Sequence, residues 1–235
     1  MAADAGNSYA MYNLGTLARQ SRFKDDGVVK YDPGAALMWL TRSFDAGRIS
    51  AAFKIAVVHR ELGDPLEAMG WLQVYSYYLK GGANPRPEKE LGWLRRGPVA
   101  DLMAKLQVDL KGTGEADIRA RTVALLEYHG TRFEAAPRTP YPPIDDCGVK
   151  RPPKGFRASV VHPVQSSMVE IVAVVEPDGS AREVFVLDST PDAMTVSFMR
   201  QSGFSVFCPK SEETADRHVF LNWNFVNSFN ANRMR

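Results

Sequence analysis

At 235 residues the chain is longer than one average domain, and about 100–200 residues per domain leaves room for two modest cores. A hydrophobic fraction of 45% and a charged fraction of 24% are ordinary for a globular protein. A formal charge of +2 is too mild for a nucleic-acid surface, which gathers Lys and Arg on one face. No apolar run approaches the roughly 20 residues of a membrane-spanning helix, so no membrane span and no nucleic-acid partner are expected.

From Met1 to Gly6 there is no basic start followed by an apolar run, the pattern of a secretory leader, and the chain passes directly into a helical period. Aligning Ala5, Gly6, Asn7 with Ala46, Gly47, Arg48 superposes two segments at a shift of about 41 residues, a spacing typical of helical repeats. Ala10 then falls on Ala51, Met11 on Ala52, Leu14 on Ile55 and Gly15 on Ala56. The second helices match with a shorter loop: Asp32, Pro33, Ala36, Trp39, Leu40 against Asp64, Pro65, Ala68, Trp71, Leu72. In both, Asp at the N-cap can accept from a free backbone N–H, and Pro at N1 has no N–H to leave unsatisfied. Glu67 adds a capping-box-like residue at N3 of the second. Trp39 and Trp71 lie on single packing stripes, so each hairpin must bury its stripe against a neighbour.

This first stretch, residues 5 to about 80, resembles the Sel-like repeats, relatives of the tetratricopeptide repeats. Tyr12, Asn13, Leu14, Gly15, Asp32, Ala35, Ala36, Trp39, Ala46 and Gly47 carry the resemblance, and the second unit departs from it at Ala56 and His59. Beyond Lys80, Gly81 to Pro85 break the pattern; Glu88 to Arg95, Val99 to Leu110 and Glu115 to His129 again read as helices that cap the stack. Gly92, Trp93, Leu94 echo Gly70, Trp71, Leu72, leaving a third unit open.

Six prolines between Pro137 and Pro153 exclude helix and favour an extended linker, with Lys150, Arg151, Lys154 and Arg157 as its solvated charges. The period then changes. Met168 to Glu176 and Ala181 to Asp188 read as a β-hairpin around Asp178-Gly179; Thr190, Pro191 and Gly203 frame a short helix. Val219, Leu221, Trp223 and Phe225 alternate with His218, Asn222 and Asn224 in a half-buried strand.

That order of elements over about 157 to 227, with Val169 to Val175, Asp178, Gly179, Val184 to Leu187, Ser189, Phe204, Phe207, Pro209 and Val219 to Val226, resembles the C-terminal domain of TonB. The resemblance implies a protein-binding module of the periplasm that can take an added β-strand from a partner. The expected organisation is therefore a multidomain chain: residues 1–135 an all-α helical-hairpin solenoid with extra capping helices, 136–156 a proline-rich linker, and 157–235 a small α+β domain with an antiparallel sheet.

The chemistry-bearing residues are sparse. His59, His129, His162 and His218 stand singly, and zinc, P-loop and nucleophile-elbow motifs are missing from the sequence. No catalytic residue, metal or cofactor is therefore expected. Cys147 and Cys208 are the two cysteines, and spacing alone does not decide between one disulfide and two free thiols. Under the TonB resemblance the full-length gene product carries a leader upstream of Ala2, Cys147 bridges to Cys208, and the protein is periplasmic; a cytoplasmic location is the alternative.

Function is expected to be non-catalytic protein binding, as an envelope adaptor. The alternatives are an immunity protein that neutralises a secreted toxin, and a hydrolase whose site the motifs do not reveal. If the first helix of each unit lines a concave face, with the Leu14 and Ile55 stripe packed inward, Tyr9, Tyr12, Asn13, Thr16 and Ser50, Phe53, Lys54, Val57 are the positions off that stripe. Of these, Tyr9, Tyr12, Asn13, Phe53 and Lys54, with Arg60 one turn on, form the expected partner-binding set. Tyr12 and Phe53 fit packing against the neighbouring hairpin equally well, and the pattern leaves both readings open.

Overall fold

The computed structural model of the protein describes residues 2–21, 30–80, 97–137, 147–150, 167–190, 205–211 and 215–225. The chain forms two compact units, Met1–Thr139 and Pro140–Arg235. All described helices lie in the first and all described strands in the second: a helical region followed by a small antiparallel sheet.

The helices are α1 (Ser8–Ala18), α2 (Pro33–Asp45), α3 (Ser50–Glu61), α4 (Pro65–Lys80), α5 (Pro98–Asp109) and α6 (Glu115–Ala135). Their starts follow from local chemistry. Asn7 Oδ1 accepts from the Ala10 N–H at 2.9 Å, Asp32 Oδ1 from Ala35 at 2.9 Å and Asp64 Oδ1 from Glu67 at 3.2 Å. Helices α1 and α2 pack together, as do α3 and α4, and α2 joins the pairs by packing on α3. Nine consecutive residues of α3, Ser50 to Val58, are buried, so this helix has no wet face along that length. Helix α5 packs on α4, while α6 lies against α4 and also reaches α2.

The inward stripe of α1 differs from the expected one. Met11, Tyr12, Gly15 and Thr16 are buried and Leu14 is only half-buried. Gly15 sets this phase: a Cβ there would come within 2.6 Å of Leu40 Cγ and 3.0 Å of the Ala36 carbonyl oxygen, so the helices touch where α1 has no side chain. Hydrophobicity placed Leu14 inward; close approach at glycine turned the helix.

In the second unit the strands are β1 (Gly148–Lys150), β2 (Ser167–Val175), β3 (Ala181–Thr190), β4 (Ser205–Phe207) and β5 (Arg217–Phe225). β2 is central in a three-stranded antiparallel sheet of order β3-β2-β5, and β1 pairs antiparallel with β4. Asp178 Oδ1 accepts from the Ser180 N–H at 2.8 Å, and Gly179 has φ +90°, the left-handed conformation this turn requires. Val169, Ile171, Ala173 and Val175 of β2 form the core with Val186, Val206, Cys208, Val219 and Leu221.

Strand β1 corrects the expectation that 136–156 is wholly linker. Prolines 142, 143, 152 and 153 bracket a proline-free stretch, and only there does every backbone N–H remain available to a ladder. A disulfide joins Cys147, at the head of β1, to Cys208, which follows β4. Thr190, expected to cap a helix, is the last residue of β3; residues 191–203, like the expected helix Glu88 to Arg95 with Trp93, lie outside the described residues.

Candidate interaction surfaces

Three of the residues expected to meet a partner are enclosed. Tyr12 is 1% exposed, and Phe53 and Lys54 are 0% exposed. The chain's own side chains close this face. The Arg48 guanidinium stacks 4.4 Å from the Tyr9 ring and 4.5 Å from the Tyr12 ring, Lys54 Nζ lies 5.9 Å from the Tyr12 ring, and Phe53 packs on Tyr75 at 5.6 Å. Thr16, Ser50 and Val57 are buried with them, while Tyr9 and Asn13 are half-buried. Arg60 is half-buried too, its Nε donating to Asp109 Oδ2 at 2.7 Å, so it ties α3 to α5. Small residues explain the difference: Ala51, Ala52 and Ala56 let neighbours approach α3 from every side, so positions off the apolar stripe are covered as fully as those on it.

A polar network fastens α6 to the second helices. His129 Nδ1 lies 2.7 Å from Asp45 Oδ1, and Arg132 Nη1 donates to Asp45 Oδ2 at 3.3 Å. Around them Phe44 stacks on Phe133 at 4.7 Å and meets Trp71 edge-on at 5.3 Å. Tyr78 donates to Glu134 Oε1 at 3.2 Å; burial, then the Glu134 carboxylate, pushes its hydroxyl up to about 12. On α3, burial holds the His59 imidazole below its usual range despite the Glu67 and Asp64 carboxylates nearby. These contacts each bridge two helices. Among the described residues no three His, Cys, Asp or Glu side chains converge as metal ligands would, and no helix is long and apolar enough to cross a membrane.

The sheet presents a different surface. Val172 of β2 stands opposite Phe185 of β3 on one side and Phe220 of β5 on the other, so the three form one row across one face. Phe185 is 51% and Phe220 37% exposed. In the row beyond, Glu170 stands opposite Asp188 and Asn222; both carboxylates are buried, and Thr190 Oγ1 donates to Asp188 Oδ2. Val184, adjoining Phe185 on the same edge strand, is 42% exposed. The aromatic row was not in the expected binding set, although the pattern held its trace. Phe220 interrupts the otherwise polar series His218, Asn222, Asn224, and consecutive Val184 and Phe185 cannot both face one core.

Comparison of the chain with family models, with curated proteins and with solved structures gives no match.

Proposed function

We propose that the chain is a non-catalytic, protein-binding adaptor of the bacterial envelope whose partner docks on the C-terminal sheet, over the row Phe185, Val172, Phe220. The observation that carries this reading is that two phenylalanines stand exposed in one row of one sheet face, on either side of Val172, where a self-sufficient domain would place polar residues. Aromatic side chains flanking a smaller apolar residue supply the large, rigid contact area on which interface hot spots depend. The hairpin and returning strand support kinship with TonB-like domains. The two helical pairs with their Asp-Pro starts support a Sel-like repeat scaffold. The Cys147–Cys208 disulfide supports an oxidising compartment such as the periplasm.

The test is site-specific photo-crosslinking in the native host, with the photoreactive residue at position 185, at 220, or at the exposed helical position Thr131. A shared protein adduct at 185 and 220 with none at 131 supports the reading. Adducts at 131 alone, or at none of the three, remove it.

A further inference from the structure

Strand β4 is anchored to the sheet of the C-terminal unit, and β1 is joined to β4. β4 has its own anchors: Val206 is 5% exposed within the core, Ser180 forms a bridge with Phe207, and the Cys208 N–H donates to the Gly179 carbonyl at 2.9 Å. Just beyond, the Ser211 N–H donates to the Pro177 carbonyl at 2.9 Å. Strand β1 is three residues long, and what joins it to β4 is the short ladder, the fit of Gly148 against the Phe207 ring, and the neighbouring Cys147–Cys208 disulfide. An isolated two-stranded ladder of this length does not persist in water. Cys147 itself is packed against the core beside the cysteine to which it is bonded.

We infer that the Cys147–Cys208 disulfide is a redox latch: it holds β1 on β4, and its reduction releases β1 while β4 and the sheet β3-β2-β5 stay in place. The reductant is a dithiol. Its thiolate attacks Cys147 Sγ, the sulfur of the less buried cysteine, and the S–S bond breaks with Cys208 leaving as a thiolate that takes a proton. The second thiol of the reductant then displaces Cys147 from the mixed disulfide. The reductant ends as its own disulfide and the protein as two thiols, two electrons and two protons having been transferred. Release strips the paired neighbour from Ser205–Phe207, so a covered ladder becomes an open backbone edge able to accept another strand.

Residue-resolved hydrogen exchange on the full chain, before and after dithiothreitol, tests the latch. Reduction is expected to speed exchange at the 148–150 amides on the order of 100-fold, while the Cys208 amide and the amides of β2 keep their protection. The Cys147→Ser chain is expected to show the reduced pattern without reductant. Unchanged protection at 148–150 after complete reduction overturns the inference. So does simultaneous loss at 148–150, Cys208 and β2, because the bond would then support the whole unit and not β1 alone.

Discussion

Gly15 of α1 faces Leu40 of α2 so closely that a Cβ at position 15 would lie 2.6 Å from Leu40 Cγ. Gly15→Ala therefore forces the first helical pair apart, although alanine is the better helix former. The expected loss is about 1–3 kcal/mol, the usual cost of overpacking, read as a lower denaturation midpoint. A neutral or stabilising result would mean that Leu40 moves aside freely.

Phe53→Ala opens a cavity in the middle of the buried stretch of α3 and is expected to cost about 3–5 kcal/mol. Tyr12→Ala is expected to act in the same direction. The discriminating measurement is melting temperature in the absence of any partner; no change there would return both residues to the surface.

Asp45 serves two helix α6 residues, His129 and Arg132. Asp45→Ala leaves His129, 8% exposed, without this carboxylate. The expected cost is about 1–3 kcal/mol, with the largest rise in proteolytic sensitivity in α6. Arg132→Ala, which removes an exposed partner, is expected to cost much less, and equal effects would place the stability elsewhere.

His59 makes stability depend on pH in a definite direction. Burial lowers its folded-state pKa below the ordinary 6.5, so the unfolded chain binds the proton first as pH falls. Its contribution is full above 6.5 and declines as pH drops below that value toward the lowered folded pKa. His59→Gln is expected to flatten this part of the stability profile, measured by urea denaturation at a series of pH values; an identical slope in both proteins counts against the assignment.

Gly179 joins two demands at one position: φ of +90° and a carbonyl oxygen, that of Cys208, 2.2 Å from where a Cβ would sit. Asparagine tolerates such a φ better than most residues, yet it keeps the clash. Gly179→Asn and Gly179→Ala are therefore both expected to destabilise the C-terminal unit, by more than about 1 kcal/mol. Recovery of stability in the Asn variant alone would show that φ, and not the contact, is the constraint.

The helix starts at Asp32 and Asp64 and the turn at Asp178-Gly179 were legible because each is a local device, complete within a few residues. The burial of Lys54 was not, and for Tyr12 and Phe53 the pattern left packing and partner contact equally open. Their burial depends on Arg48 folding over Tyr9 and Tyr12 and on small residues drawing helices together, contacts that sequence periodicity does not encode. Strand β1 was hidden for a related reason: its partner β4 and its cysteine partner both lie far along the chain, the two cysteines being 61 residues apart. The exposed row had only a partial trace, since alternation identifies Phe220 as outward-facing but not the strand that lies beside it.

The return of α6 onto α4 and α2 bears on how this protein could be divided. Phe44 and Trp71 belong to the two helical pairs, but the aromatic wall around them is completed by Phe133 and His129, from near the end of α6. A fragment ending at Lys80 would contain both pairs and still expose that wall to water. The helical unit is therefore not a string from which hairpins can be trimmed or exchanged at will. The smallest transplantable block runs from α1 through α6, and engineering that preserves it must carry the last helix along with the first.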